Sequence, residues 1–281
     1  MFTIGDDTLE RWLREDAPYG DLTTATLGLR GQPGRIRFHS RESLVLCGTE
    51  EVRRIFEKLG IVTRTLRLSG ESAGAGDLLL EATGPVEALH LGWKLSVNIL
   101  EHASGIATRT RQLVDLAKEV NPKVEVVTTR KGFPGTRELA IKAVLAGGGK
   151  PHRLGLSETF LAFRQHRAFF VDTKTFLAGI PEWKEQICEK KLIVETDSVS
   201  EALELADAGV DGIQFDKIEA SELAHAVALL RVRRPSLLLI AAGGIHRENV
   251  AAYAATGVNA LATSAAYFGK PSDIGVTMES E

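Results

Sequence analysis

The chain is poor in cysteine, with only Cys47 and Cys188 among 281 residues. They lie far apart and form no Cys-x-x-Cys pair. A disulfide framework is therefore excluded, and free thiols in a reducing, cytoplasmic setting are expected. An excess of positive charge is also missing. Lys and Arg number 34 against 37 Asp and Glu, a formal net charge of -3, which argues against a nucleic-acid partner but leaves room for a local basic pocket. No apolar run approaches the length of a membrane span, so no membrane partner is expected. The start, MFTIGDDTLERWLRED, is acidic and amphipathic, without the basic opening and apolar centre of a signal peptide. Neither a repeat nor a low-complexity segment is evident. A chain of this length buries about three quarters of its unfolded surface and needs no metal or disulfide to hold it together.

What is present divides into two patterns. In the first third, GRIRFHS, SLVLCG, IVTRTLRL and DLLLEATG read as short strands. Thr8 to Arg14 and TEEVRRIFEKLG read as helices, the latter with Thr49 as N-cap and Gly60 as its stop. This is the pattern of a small α+β sandwich domain, expected over residues 1–105. A long helical stretch follows from about Pro85 to Glu119, with Gly105 interrupting it. From Lys123, continuous apolar strands alternate with helices: VEVVTT, KLIVE, DGIQF, LLLIAA and NALAT. Runs buried on both faces and separated by helices predict a parallel sheet, closed into a barrel or open, over residues 106–270, with 271–281 as a C-terminal tail.

The strand ends carry the chemistry. Thr129, Arg130 and Lys131 follow one strand, Glu195 another, Asp216 the next, Gly243 and Gly244 the next, and Thr263 and Ser264 the last. Ligands bind at the carboxyl ends of strands in such folds. A glycine pair lets backbone N–H groups approach an anion, helped by a helix expected to begin near Arg247, and hydroxyls after the next strand complete a phosphate site; the bland alternative is a tight turn. Glu195 and Asp216 can hold Mg²⁺ or ribose hydroxyls, or they can be solvated carboxylates. Arg130, Lys131, Arg137, His152 and Arg153 cluster beside FPGT and GGG turns, where carboxylate or phosphate capture is expected; Arg137, which opens a helix, is the weakest of them. His152 and His166 form no paired zinc-ligand motif.

These segments resemble a known family. REDAPYGDLTT, HASGIATRT, TTRKGFPGTR, GGGKPHRLGLSE and AAGGIHRENVAAYAATGV, with Glu195 and Asp216 between them, are similar in order and spacing to quinolinate phosphoribosyltransferases, from about Leu9 to Ser264. Within that family PHRLGLSETFLAF and TTRKGFPGT look like the ModD type, which is associated with molybdenum transport. The resemblance implies an open α/β barrel of about six to seven parallel strands behind the sandwich domain. It implies a homodimer, Mg²⁺, phosphoribosyl pyrophosphate and a small heteroaromatic acid. In that reading Lys131 meets the pyrophosphate, and Arg130, His152 and Arg153 face the acid. Glu195 and Asp216 hold ribose and metal, and Gly243, Gly244 and Ser264 take the 5′-phosphate, with Thr263 beside them.

Two positions depart from the family. Lys94 stands where the family donates an Arg across the dimer, and Phe163 stands where it has a Lys. Both lost groups face the acceptor's carboxylates, so the phosphoribosyl half is expected to be kept and the acceptor changed. Quinolinate itself remains an alternative acceptor. So do a non-catalytic oxyanion binder linked to molybdate and a Schiff-base enzyme using Lys131.

Overall fold

The structure, a computed structural model, describes residues 3–281; Met1 and Phe2, with which the expected first domain begins, lie outside the described residues. Among those residues the strands are β1 (Pro33–Ser40), β2 (Leu44–Val45), β3 (Val62–Thr65), β4 (Ser72–Ala73), β5 (Leu78–Pro85), β6 (Glu125–Thr128), β7 (Lys150–Pro151), β8 (Phe160–Ala162), β9 (Leu192–Thr196), β10 (Gly212–Asp216), β11 (Leu238–Ala242), β12 (Ala260–Thr263) and β13 (Ile274–Ser280). The chain forms two compact units, one from Met1–Arg111, Gly132–Gly148 and Ala266–Glu281, the other from Gln112–Lys131 and Gly149–Ala265.

The first unit is built on an antiparallel sheet in the order β13-β1-β5-β3. Strand β1 alternates between buried and half-exposed positions, which turns Ile36 and Phe38 into the core. The helix Thr49–Lys58 answers with Val52, Ile55 and Phe56 on one stripe, and Phe56 meets Phe38 edge-on at 6.1 Å between ring centroids. Gly48, at φ 106°, occupies the N-cap expected at Thr49, which becomes the first helical residue. On the same helix, Glu50 and Glu51 both pair with Lys142 of the helix Arg137–Ala146, at 2.9 and 2.5 Å.

Two sequence expectations change here. Gly105 does not interrupt the helix, which runs unbroken over Val86–Val120. A Cβ on Gly105 would stand 3.2 Å from the Lys270 carbonyl oxygen and the Ser272 nitrogen, so this glycine admits a neighbouring chain segment instead of ending the helix. The boundary near residue 105 consequently falls inside a helix. Residues 271–281 are also not a tail: β13 pairs along β1 from Ile274↔Ser40 to Ser280↔Gly34. Apolar Ile274 is buried there, and that burial makes the segment a strand.

The second unit carries a parallel sheet of seven strands in the order β7-β6-β12-β11-β10-β9-β8, open between β7 and β8, as expected for an unclosed α/β barrel. Its strands are short apolar runs because both faces are covered. Helices such as Val199–Asp207, capped by the Ser198 side chain, return the chain to the start of the next strand. Strand periodicity sorts the side chains. Val127, Leu161, Ile193, Ile240 and Ala260 fill one face as an apolar layer. Two residues further along each strand, on that same face, come Thr129, Phe163, Glu195, Ala242 and Ala262.

Candidate active site

That second layer is the floor of a cavity of about 570 Å³ at the carboxyl ends of the strands. Strand ends of a parallel sheet are the one place where loops from many strands converge without disturbing the apolar layers beneath. Arg130 and Lys131 line the cavity after β6, His152 and Arg153 after β7, Phe163 after β8, Glu195 on β9, Asp216 ending β10, and Gly243 and Gly244 after β11. Residues scattered over more than a hundred positions of sequence therefore share one wall or another of the same space.

The acids sit side by side. In the β9–β10 register Glu195 lies opposite Gln214, two residues before Asp216 on the same face. The Gln214 amide donates to Glu195 Oε2 at 2.6 Å and orients the carboxylate. Burial raises the Glu195 pKa, Gln214 opposes that rise, the negative charge of Asp216 adds to it, and Lys131 and Lys217 pull the other way. Two neighbouring carboxylates at the end of parallel strands suit a hard divalent cation whose other ligands are water and substrate phosphate. No cluster of three or more His, Cys, Asp or Glu suited to a metal occurs among the described residues. A metal here would therefore rest on these two carboxylates and on what the substrate brings.

The cationic side is graded. Arg130 and Lys131 are exposed to the cavity. Arg153 is buried, and burial followed by repulsion from Arg130 lowers its pKa. Its guanidinium lies 5.7 Å from the centroid of the Phe163 ring and donates to the Thr159 carbonyl. Burial and then the charge of Arg153 lower the His152 pKa from its ordinary value. His166 lies outside the cavity lining. It stacks on Phe163 with 5.7 Å between ring centroids and accepts the Phe163 N–H through Nδ1 at 3.0 Å.

The phosphate side differs in part from expectation. Gly243 and Gly244 have φ of 84° and 75°, left-handed conformations that glycine adopts without penalty. The helix expected near Arg247 begins only at Val250 and is five residues long, because Asn249 folds back, accepting from the His246 N–H and donating to the Gly244 carbonyl. Thr263 does not face the cavity. By strand alternation it points away from Ala262, and its hydroxyl donates to the Ile245 carbonyl at 2.6 Å. Half-buried Ser264 is likewise not among the lining residues. Arg137 opens a helix of the first unit and is not part of this cavity. Lys94 also belongs to the first unit, exposed on the long helix, with its ammonium 5.3 Å from the Trp93 ring centroid.

Sequence reasoning missed Gln214, Gln165 and Lys217, which also line the cavity. Gln214 had a signal: it is a polar residue inside an apolar strand, two positions before an acid and so on its face. Lys217 had less, since unlike Lys131 it stands beside acids and not beside a second cation or a glycine and proline turn.

With this geometry in view, comparison with known proteins is decisive. Residues 21–104 match the N-terminal domain and residues 106–277 the C-terminal domain described as quinolinate phosphoribosyl transferase. The chain is 37% identical over 281 residues, all of both proteins, to the Pasteurella multocida protein named "Putative pyrophosphorylase ModD". It is 34% identical over 251 residues, 88% of this chain and 93% of the other, to the "Probable nicotinate-nucleotide pyrophosphorylase (carboxylating)" of Archaeoglobus fulgidus. Among solved structures, the nicotinate-nucleotide pyrophosphorylase of Ehrlichia chaffeensis aligns with a TM-score of 0.90 at 27% identity, covering 99% of this chain and all of that one. That of Francisella tularensis aligns with a TM-score of 0.89 at 25% identity, covering 99% and 98%. The chain belongs to the quinolinate phosphoribosyl transferase family, and by class it is a phosphoribosyltransferase.

Proposed function

We propose that this enzyme transfers the phosphoribosyl group of phosphoribosyl pyrophosphate to a ring nitrogen of a heteroaromatic acid other than quinolinate, releasing pyrophosphate. The observation that carries the reading is the single cavity in which the Glu195–Asp216 pair, the cations Arg130, Lys131 and Arg153, and the glycine pair Gly243–Gly244 meet. In the reaction the bond from the anomeric carbon to the pyrophosphate oxygen breaks, the electron pair leaves with pyrophosphate, and the ring-nitrogen lone pair forms the new bond. Lys131 neutralises charge gathering on the leaving group. Glu195, oriented by Gln214, and Asp216 face the sugar as it becomes cationic. Mg²⁺ held by these two carboxylates would neutralise the diphosphate. No nucleophilic side chain is required, so catalysis is positioning and electrostatics. Gly243 and Gly244 offer backbone N–H groups to the 5′-phosphate, and a homodimer would bring a partner's Lys94 to the acceptor.

The acceptor side supports a changed substrate. One wall carries Phe163 with its ring against Arg153 instead of a further cation, over an apolar floor of Leu161, Ala242 and Ala262. A second carboxylate placed there would lose water without gaining a partner, at a cost of about 1–3 kcal/mol. The test is pyrophosphate release over a panel of pyridine, pyrimidine and pterin-like acids, with quinolinate as comparison. Turnover of a monocarboxylic or larger ring acid well above quinolinate is expected. Quinolinate turned over as fast as by a dedicated family member would overturn the acceptor assignment. Calorimetry showing molybdate bound while Mg²⁺ with phosphoribosyl pyrophosphate is ignored would overturn the transferase assignment.

A further inference from the structure

Lys217 has a φ of 58°, and it is the sole non-glycine position with positive φ among the described residues. For a long side chain this left-handed conformation is uncommon and persists only where the surroundings impose it. They do so here. The Lys217 N–H donates to the Ala242 carbonyl at 2.9 Å, and Gly243 packs so tightly on Lys217 that a Cβ there would stand 2.5 Å from its Cγ. The turn takes the chain out of β10 immediately after Asp216 and leaves the lysine at the rim of the cavity. It lines both that space and an adjoining polar cavity of about 560 Å³ that shares Gln165, Glu195 and Asp216. Its ammonium is loosely held, 3.8 Å from Asp216 Oδ2, with the side chain 78% exposed. Arg167, which also lines the adjoining cavity, is by contrast committed to Glu201 and to the Glu195 carbonyl.

We propose that Lys217 is a diphosphate-binding residue of the donor sugar that exchanges partners during binding. Without substrate its ammonium neutralises Asp216. When a divalent cation takes that carboxylate, the two positive charges repel, and Lys217 turns to the diphosphate oxygens as a second lysine beside Lys131. The inference rests on the proposed transferase reading, and it concerns a residue that plays no part in that reading's assignment.

The test uses calorimetry on the full chain, with inorganic pyrophosphate plus Mg²⁺ and separately with Mg²⁺ alone. Lys217→Asn is the informative variant, because Asn takes a left-handed φ more readily than Lys and the fold keeps its melting temperature. Expected are about tenfold or greater weakening toward magnesium pyrophosphate and tighter binding of Mg²⁺ alone, two changes of opposite sign that a structural role does not produce. Lys217→Gly should behave in the same way. Wild-type affinity for magnesium pyrophosphate in both variants would overturn the proposal, as would its loss without any gain for the metal alone. If the wild-type chain itself ignores magnesium pyrophosphate, the transferase reading falls and this inference with it.

Discussion

Gly243 lies against Asp216 so closely that a Cβ on the glycine would stand 2.4 Å from the carboxylate Oδ1. The glycine turn after β11 and the acidic wall of the cavity are thus one packed unit.

The two glycines separate strain from contact. Gly243→Ala must both adopt a φ of 84° and push into Asp216 and Lys217. It should cost at least about 2 kcal/mol in urea unfolding and abolish binding of magnesium pyrophosphate. Gly244→Ala meets nothing within 4 Å and suffers only its φ of 75°. It should cost about 1 kcal/mol and retain most of the binding. Equal effects of the two changes would show that the close approach to Asp216 is not what matters.

In the first unit, Lys142 is buried between Glu50 and Glu51, its side chain 4% exposed. Lys142→Met leaves buried Glu51 and half-buried Glu50 without a cation and should cost about 3–5 kcal/mol, most of it recovered when both acids are changed to Gln. Burial alone would raise Glu50, but hydrogen bonds from Ser69 and Lys142 outweigh it and hold the carboxyl at about 2. Its pKa is depressed on folding. Its contribution is therefore complete above the ordinary value of 4.5 and is lost as pH falls toward about 2. Melting temperatures between pH 5 and pH 2 should fall in the wild type and fall less in Glu50→Gln.

Phe163→Lys places a second cation beside Arg153. It should shift the ratio of kcat/KM toward dicarboxylic acids by about tenfold or more, measured as pyrophosphate release with quinolinate against nicotinate. An unchanged ratio would mean that Phe163 does not choose the acceptor.

Removal of residues 272–281 should make the chain aggregate, visible in size-exclusion profiles, because β1 loses its β13 partner and becomes an open edge carrying Ile36 and Phe38. A soluble, monodisperse product would restore the reading of this segment as a tail.

The amino-acid sequence by itself determined the parallel sheet, because strands covered on both faces must be almost continuously apolar, as LIV, LLIAA and ALA are. It also determined the strand-end residues Lys131, Glu195, Asp216 and Gly243, since a polar group is tolerated on such a strand only where the apolar layers end. Tertiary structure decided what spacing cannot express. It gave β13 to the first unit's sheet, since an edge strand is defined by the strand it pairs with. It spent the Thr263 hydroxyl on the Ile245 carbonyl, since its direction depends on strand parity and on a loop eighteen residues away. It turned Lys217 into the cavity rim through a left-handed backbone imposed by Ala242 and Gly243, partners that only folding brings to it.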